Sequence, residues 1–247
     1  MIRLIFGNVG SSKTCCAVRE LYHNPSNKIT YSNIDTKGIK NNILIKADMI
    51  IKKVPLGENR KGVMQYDLKL NEEFWKNVIK KHKSINIILD EAHTILNSRR
   101  AMSKPTRIML DFVALLRRIL GSSDGAYGTL SLITQLERRL DVVVKEMATN
   151  IRYHMCHYSK TCKSCNFSFT ENNEVPEPIY KCPRCNQHTL ITHNHVAEVW
   201  HFSNIEKYTS WKEFGSKTYH KHYYVHELKN YFSMYDTLQW DNLLSEF

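Results

Sequence analysis

The octapeptide GNVGSSKT at residues 7–14 has the residue types and spacing of a loop that binds phosphate groups. The strand-like sequence RLIF precedes it and a helical pattern begins at Thr14, which is the context that gives such a motif meaning. Backbone N–H groups at the helix start would face the phosphates, Lys13 would reach the β- and γ-phosphates, and Thr14 would bind Mg²⁺. The predicted nucleotide site comprises Gly7, Asn8, Val9, Gly10, Ser11, Ser12, Lys13, Thr14 and Cys15.

This phosphate loop departs from the pattern G-x-x-x-x-G-K-[ST] at one position, because Ser12 stands where a second glycine is usual. If the backbone needs a positive φ there, a non-glycine residue costs on the order of 1 kcal/mol. That cost is small beside the summed phosphate contacts, and Gly7 and Gly10 remain to form the turn. We therefore expect the loop to bind a nucleotide despite the departure.

A second candidate site lies in INIILDEAH at residues 85–93. The continuous apolar run is typical of a strand buried on both faces of a parallel sheet, and it ends in Asp90 and Glu91. Carboxylates at the C-terminal tip of such a strand lie beside the phosphate loop. Asp90 is predicted to hold Mg²⁺ through water, and Glu91 to activate the attacking water or hydroxyl. The letters DEAH also form a helicase signature, but the chain is too short for two helicase lobes.

An amphipathic helix is predicted from about Pro105 to Gly121. The basic residues on it and before it have two interpretations, a solvated surface or a set of functional cations. In the second interpretation, an arginine reaches the nucleotide of a neighbouring subunit, and cations before the helix contact nucleic-acid phosphates. The candidates for the first role are Arg117 and Arg118, and those for the second are Arg99, Arg100 and Lys104.

The next buried strand, GTLSLITQ at residues 128–135, ends in a polar tip. Its last residue, Gln135, is a candidate sensor, because its amide could hydrogen-bond the γ-phosphate or the attacking water. The other interpretation is a strand that simply meets its loop. A short helix carrying Asp141 is predicted to follow.

Four of the seven cysteines form two C-x-x-C pairs, CKSC at 162–165 and CPRC at 182–185. Two such pairs make a tetrahedral sulfur site with the spacing of a Zn²⁺ centre, and four protein thiolates leave no open position, so the metal is predicted to be structural. The flanking sequences would pair as strands, which makes residues 159–190 a zinc ribbon inserted at a hairpin tip. The predicted ligands are Cys162, Cys165, Cys182 and Cys185. The histidines nearby, at 154, 157, 188, 193 and 195, are expected at the surface or facing nucleic acid.

The composition is that of a folded domain with a polyanionic partner. Of 247 residues, 42% are hydrophobic, which is enough to bury a core, and the formal charge of +11 favours nucleic acid over an acidic membrane. The remaining cysteines, at 15, 16 and 156, are expected as small buried apolar residues. No run of about 18 apolar residues occurs, so no membrane span is predicted. The N-terminus is interpreted as a buried strand rather than a signal peptide, which predicts a cytoplasmic protein.

The motifs occur in a recognisable order: the phosphate loop, the strand ending in Asp90 and Glu91, the basic helix, then LITQ followed by Asp141. So arranged, the chain resembles P-loop ATPases of the FtsK/HerA-like and zonular-occludens-toxin-like group. MYDT at 234–237 is similar to a tyrosine–aspartate–threonine turn found late in such domains. The group includes DNA-packaging motors of viruses, notably archaeal ones, and assembly ATPases of filamentous phages.

The resemblance covers most of the chain apart from roughly residues 159–190. It implies a RecA-like (ASCE) α/β fold, with a mainly parallel sheet flanked by helices, formed by residues 1–158 and 191–247. It also implies ATP-driven movement of double-stranded DNA, in viral genome packaging, by a ring that is usually a hexamer in the host cytoplasm or associated with the virion. The zinc ribbon is not general in the group and would be a virus-specific contact, for example with a capsid protein.

Two other functions remain open. Thymidine kinases also join a phosphate loop, a strand ending in Asp-Glu-Ala and a later pair of C-x-x-C turns, and some adenylate kinases carry a zinc-bound lid. In a kinase, Glu91 would deprotonate a nucleoside hydroxyl. The long basic segment between Glu91 and Gln135 favours the motor, because a small-molecule kinase needs no such surface. The third possibility is a DNA-binding switch that hydrolyses its nucleotide slowly.

Overall fold

The computed structural model describes residues 1–24, 28–58, 60–82, 84–100, 103–120, 127–174 and 179–236. The strands are β1 Ile2–Phe6, β2 Ile29–Ser32, β3 Asn42–Leu44, β4 Ile51–Glu58, β5 Met64–Leu70, β6 Ser84–Leu89, β7 Tyr127–Ile133, β8 Asn150–Cys162, β9 Ser168–Asn172, β10 Leu190–Phe202 and β11 Lys221–Val225. The helices are α1 Lys13–Tyr22, α2 Ala47–Ile50, α3 Glu72–His82, α4 Ala92–Ile95, α5 Lys104–Leu120, α6 Val142–Met147 and α7 Ile205–Phe214.

The large sheet has the strand order β11-β10-β8-β1-β7-β6-β2-β3, and β9 pairs with β8 outside this path. The strands from β8 to β3 along this order pair in parallel, whereas β9, β10 and β11 pair antiparallel. Because β7 lies between β1 and β6, its tip lies between the phosphate loop and Asp90. This mainly parallel sheet, flanked by helices, confirms the predicted RecA-like P-loop NTPase fold.

The central strands are apolar because hydrophobic cores cover both faces of the sheet. On β1, Leu4 and Phe6 face one core and Ile5 faces the other, as the alternation of side chains along a strand requires. The larger core includes Trp75 of α3 and Phe112 of α5, whose ring centroids lie 5.0 Å apart. The smaller core holds α1 and the 3-10 segment Leu228–Met234. The phosphate loop therefore enters a helix whose inner face is anchored.

The strands β8 and β10 form a long antiparallel hairpin, paired from Ile151 and Phe202 at its base to Cys162 and Leu190 at its end. The four paired cysteines lie at that end, on the segment 159–190, which is here called the cysteine module. Within it, β9 pairs antiparallel with β8. The predicted hairpin with a cysteine-bearing tip is therefore present.

The hairpin of β4 and β5 is an element that the sequence does not predict. Its strands pair from Ile51 and Leu70 to Glu58 and Met64, and most of its side chains are exposed. A proline and two lysines in β4 hide the alternation that marks a strand. Among the described residues, none of the helices has both the length and the hydrophobicity of a transmembrane span.

Candidate functional site

The phosphate loop adopts the strained turn that its sequence suggests. Ser12, immediately before α1, has φ 61° and ψ 25°, in the left-handed region. Gly7 has φ 151°, and a Cβ added to it would lie 2.4 Å from the carbonyl oxygen of His154. Only glycine fits at position 7, because that φ is disfavoured for other residues and β8 approaches the loop backbone closely.

The Lys13 side chain lies in the mouth of this loop. Its ammonium donates to the carbonyl oxygens of Gly7 at 2.8 Å and Asn8 at 2.9 Å, and to Ser11 Oγ at 3.1 Å. Burial lowers the pKa of Lys13 to about 8, although the nearby carboxylates of Asp90 and Glu91 act to raise it. The loop thus concentrates a positive charge where the motif predicts phosphate.

The phosphate loop and the acidic strand tip meet directly. Thr14 Oγ1 donates to Asp90 Oδ2 at 2.6 Å. Asn33, which follows β2, holds the backbone of Asp90 from the other side: its amide donates to Asp90 O at 2.9 Å and accepts from Asp90 N–H at 2.6 Å. Burial raises the pKa of Asp90, and the hydrogen bond from Thr14 opposes that rise. A hydroxyl and a carboxylate at one point are ligands that suit Mg²⁺.

Glu91 lies at the opening of this site in a left-handed conformation, with φ 50° and ψ 40°. Its side chain is 49% exposed and lies 3.2 Å from Nδ1 of the buried His93. The same ring nitrogen lies 3.1 Å from Thr134 Oγ1 at the tip of β7, next to Gln135. The candidate base and the candidate sensor strand are therefore linked through one histidine. Strained residues of this kind concentrate at functional sites.

A pocket of about 330 Å³ opens beside the loop and contains Gly7, Asn8 and Gln135 in its wall. Its cations include Arg99, Arg138, Arg139 and Lys212. The last turn of α5, which carries Arg117 and Arg118, lies elsewhere: Leu120 packs beside Gly128 at the start of β7, the opposite end of that strand from Gln135. The arginines that line the pocket beside the loop are thus Arg99, Arg138 and Arg139, and not the pair on α5. The side chain of Arg100 lies outside the described residues.

The four cysteines of the module come together as predicted. Their sulfur atoms all lie within 4.8 Å of one another, with Cys162–Cys185 at 3.5 Å and Cys165–Cys182 at 3.6 Å. A tetrahedral zinc site with Zn–S bonds of about 2.3 Å needs sulfur separations of about 3.8 Å. Asn166 and Asn186, one after each C-x-x-C pair, have φ 54° and 59°, so the two turns have matching backbones. The donor set fits a structural metal.

Some single residues differ from expectation. His154 was expected at the surface or facing nucleic acid, and this was wrong: it is 2% exposed, on the same face of β8 as the buried Cys156 and near Lys13 at the start of α1. Cys15, Cys16 and Cys156 are buried, as expected. Tyr235 of MYDT lies close to Cys15, which places this turn near Thr14. Thr237 and the chain beyond it lie outside the described residues, as does the side chain of residue 193.

Several residues of the site have no signal in the sequence. Asn33, Tyr158 and Asn173 touch the loop or Asp90 from distant segments, and none of them belongs to a local motif. His93 belongs to the DEAH string, which offered a signal, but its contact with Thr134 depends on the strand order. The basic residues at 138 and 139 lie three and four positions after Gln135 and were the nearest available clue to the pocket.

Comparison with known proteins gives remote structural similarity. No protein-family model matches the sequence, and no curated protein matches it either. The N-terminal domain of zonular occludens toxin from Neisseria meningitidis aligns over 95% of this chain and 98% of its own, with 14% identity and a TM-score of 0.47. The genome packaging NTPase B204 of Sulfolobus turreted icosahedral virus 2, in complex with ATP-gammaS, aligns over 62% of this chain and 74% of its own, with 16% identity and a TM-score of 0.36.

The AAA domain of FIGL-1 in complex with ADP aligns over 62% of this chain and 42% of its own, with 14% identity and a TM-score of 0.35. The first two structures are of the kinds that the sequence motifs resemble, a zonular occludens toxin domain and a viral packaging NTPase. Because all of these similarities are remote, the fold assignment rests on the strand order and the phosphate loop of this chain itself.

Proposed function

We propose that the chain is an ATPase that binds Mg·ATP where the phosphate loop meets Asp90 and Glu91. The observation that carries the proposal is the hydrogen bond from Thr14 Oγ1 to Asp90 Oδ2 at 2.6 Å, between residues 76 positions apart. Two motifs that each suit one part of a magnesium-bound triphosphate are therefore in contact.

Each residue of the site has a role that its position supports. Mg²⁺, when bound with the nucleotide, neutralises charge on the phosphates. Lys13 exchanges the loop oxygens that hold its ammonium for phosphate oxygens, while Thr14 and Asp90 hold the metal. Glu91, half exposed at the opening, accepts the proton of the attacking water. Gln135 lines the pocket beside the loop and senses the γ-phosphate.

We further propose that hydrolysis moves double-stranded DNA, in viral genome packaging, through a homo-oligomeric ring in the host cytoplasm. A groove of about 1130 Å³ between the β4–β5 hairpin, α3 and α5 supports a polyanionic partner, and it is here called the basic groove. Its charged lining has five cations and three carboxylates: Lys52, Lys69, Lys76, Lys104 and Arg107 against Glu72, Glu73 and Asp111. Lysine and arginine side chains in such a groove would contact DNA phosphates.

The cysteine module is proposed to bind one Zn²⁺ through its four thiolates. The sulfur separations and the matching turns support a closed tetrahedral site, which stabilises structure rather than performs chemistry. Metal analysis of the purified protein tests this proposal. About one zinc per chain is expected, and a folded protein with a metal content near zero would refute it.

The decisive experiment measures ATP turnover with and without double-stranded DNA. We expect DNA to stimulate turnover, and Glu91→Gln to lower it about 10²- to 10⁴-fold through loss of the general base. Glu206→Gln, at an exposed position on α7, is the matched control and should retain activity. An absence of binding heat with millimolar Mg·ATP would overturn the proposal, and phosphate transfer to thymidine or a nucleoside monophosphate would favour the kinase instead.

A second experiment tests the DNA surface separately. Lys69→Gln combined with Arg107→Gln removes two exposed cations of the basic groove. Each lost phosphate contact should lower the salt dependence of DNA binding by about one unit of slope. Lys217→Gln, exposed and outside the groove, should leave the slope unchanged. Unchanged DNA binding in the double variant would contradict this assignment while leaving ATP hydrolysis untouched.

A further inference from the structure

The end of β9 faces the end of β1 across the phosphate loop. β1 pairs with β8 at residues 150–153, and β9 pairs with the same edge of β8 at residues 157–161, because β10 occupies the other edge. Residues 154–156 of β8 separate the two partners, a span of about 10 Å. The phosphate loop leaves β1 in this gap, so the cysteine module adjoins the loop although it is distant in sequence.

Two side chains hold the outer carbonyl groups of the loop. Asn173 Nδ2 donates to Val9 O at 3.1 Å, and the Tyr158 hydroxyl donates to Gly10 O at 3.0 Å. The C=O and the N–H of a trans peptide point in opposite directions. Because the carbonyl of Val9 points toward Asn173, the N–H of Gly10 in the same peptide points away from Asn173. These contacts thus set the orientation of the peptide groups that form the loop.

Asn173 is in turn fixed by the strand beside it. Its side-chain oxygen accepts from Cys156 N–H at 2.7 Å, and its own N–H donates to Cys156 O at 2.9 Å. The next residue, Glu174, accepts a hydrogen bond from the Tyr153 hydroxyl. The turn after β9 is therefore anchored to β8 on one side and to the phosphate loop on the other.

The sulfur site lies at the turn of the β8–β9 hairpin that leads to Asn173. The first C-x-x-C pair is the turn between β8, which ends at Cys162, and β9, and Cys162 N–H donates to Phe167 O at 2.9 Å to close it. Farther along the same two strands, the ammonium of Lys160 and the buried carboxylate of Glu171 lie 2.5 Å apart. A metal on the four sulfurs would fix this turn and, through the paired strands, the position of Asn173.

We propose that the cysteine module, together with Tyr158 immediately before it on β8, positions the phosphate loop, so that metal in the sulfur site tightens nucleotide binding. Asn173 and Tyr158 are the positioning residues. This role rests on the proposed nucleotide site and extends it. Both residues act through the backbone of Val9 and Gly10. The module is thereby a support of the loop as well as a local cross-link.

The first test measures binding of Mg·ATPγS by calorimetry. Asn173→Ala and Tyr158→Phe should each weaken binding about three- to tenfold, because each removes one hydrogen bond to the loop. Zinc content should stay at the wild-type value in both variants, which a general structural defect would not allow. Thermal stability should stay at the wild-type value in Tyr158→Phe, whereas Asn173→Ala also leaves Cys156 N–H without its acceptor and should be somewhat less stable. Thr170→Ala and Tyr180→Phe, exposed positions of the same module, are matched controls and should bind normally.

The second test is a double-mutant cycle between the metal and Asn173. Removal of metal by a chelator should weaken Mg·ATPγS binding in the wild type, and zinc should restore it. In Asn173→Ala, metal removal should have little further effect on binding, because the hydrogen bond from residue 173 to Val9 O is already absent. Hydrogen exchange of the loop amides is the independent readout: protection should fall when either the metal or the Asn173 amide is removed.

The outcomes separate this role from the proposed function. If the wild type binds Mg·ATPγS and the two loop-facing variants bind within twofold of it, the positioning role is wrong and the nucleotide site stands. Additive effects of the metal and Asn173→Ala would likewise overturn the coupling. If the wild type itself does not bind, the nucleotide site fails. Should chelation unfold the whole chain, the zinc-loaded point variants still decide the matter.

Discussion

The phosphate edge, meaning the phosphate loop with the tips of β6 and β7, differs from the cysteine module in how its residues are brought together. Its contacts join residues far apart in sequence: Thr14 and Asp90 are 76 positions apart, and Asn173 and Val9 are 164 apart. In the module, Cys162 and Cys185 are only 23 apart. The module can therefore close locally on a metal, whereas the phosphate edge requires the whole fold.

The two regions also differ in the residues that occupy left-handed backbone. In the cysteine module these positions are Asn166 and Asn186, and asparagine enters that region more readily than most residues. At the phosphate edge the residues other than glycine in this region are Ser12 and Glu91, which have no such preference. Strain is thus tolerated at the edge where chemistry is proposed and is avoided in the module, where the backbone only has to bind a metal.

The largest expected effect comes from Gly7→Ala. The added Cβ would lie 2.4 Å from a backbone oxygen of β8, and the φ of 151° is disfavoured for alanine, so we expect a loss of about 3–5 kcal/mol in the free energy of unfolding. Nucleotide binding should be lost as well. Urea denaturation and calorimetry measure these effects.

Gly215→Ala is the matched control, because this glycine also has a positive φ, of 66°, but has open space around it. It should cost only about 1 kcal/mol. A similar loss of stability in both variants would show that backbone conformation, rather than the close approach of β8, dominates at the phosphate edge.

A smaller loss is expected from Asn33→Ala. The substitution leaves the backbone N–H and C=O of Asp90 without their partner, which costs about 2 kcal/mol, and it frees the carboxylate to move away from Thr14. Asn42→Ala is the control, since Asn42 ties Ile34 and Ser32 in a similar way without touching Asp90. Both variants should lose stability, but only Asn33→Ala should lower kcat. Equal kcat values would remove Asn33 from the site.

Acid should destabilise the core beneath the phosphate edge. Burial lowers the pKa of His154 well below 6.5 and that of His201 to about 3. Below pH 6.5 the unfolded chain therefore binds protons that the folded chain does not, so the free energy of unfolding decreases as the pH is lowered. Well below pH 6.5 the decrease approaches about 1.4 kcal/mol per pH unit for each fully shifted histidine.

His154→Leu tests this pH dependence without loss of a hydrogen bond, because both ring nitrogens of His154 lack a partner among the described residues. Relative to wild type, the variant should gain about 1 kcal/mol between pH 6.5 and pH 5.5 in urea titrations, because the unfolded histidine is already half protonated at pH 6.5. His188→Leu, in the cysteine module and exposed, is the control. An unchanged slope in His154→Leu would mean that His154 takes up a proton in the folded protein.

The features that the sequence predicts correctly are those with a local pattern. The helix expected from Pro105 is α5, the apolar run before Asp90 is β6, and the cysteine spacing gives the sulfur cluster. In each case the pattern lies within about twenty residues, so the periodicity or ligand geometry is complete in one segment. The strand predicted at residues 128–135, which corresponds to β7, is also complete within one short segment.

The features that the sequence does not predict depend on which strands become neighbours. Asn33 reaches Asp90 because β2 pairs with β6, and Asn173 reaches Val9 because β9 takes the edge of β8 that β1 vacates. Single asparagines have no periodicity, and their roles follow from strand order alone. His154 was misplaced for a related reason: a histidine in a strand signals exposure unless the neighbouring layer, here α1, is known to cover it.

The smallest expected effect, Ser12→Gly, bears most directly on the difference between the two regions. Glycine relieves the left-handed strain at φ 61°, and part of this gain is offset by the greater freedom of glycine in the unfolded chain, so we expect stabilisation of about 0.5–1 kcal/mol. Asn166→Gly should change stability by less than about 0.5 kcal/mol, because asparagine is already tolerated there.

Ser12→Ala separates strain from side-chain contact at the same position. It keeps the left-handed strain and removes the hydrogen bond from Ser12 Oγ to Cys156 Sγ at 3.2 Å. If strain dominates, thermal denaturation should rank the chains as Ser12→Gly above wild type and Ser12→Ala slightly below it, with Mg·ATP binding retained in both. If Ser12→Gly falls below wild type together with Ser12→Ala, the serine hydroxyl outweighs the strain, and the departure at this position is a favourable contact with β8 rather than a tolerated cost.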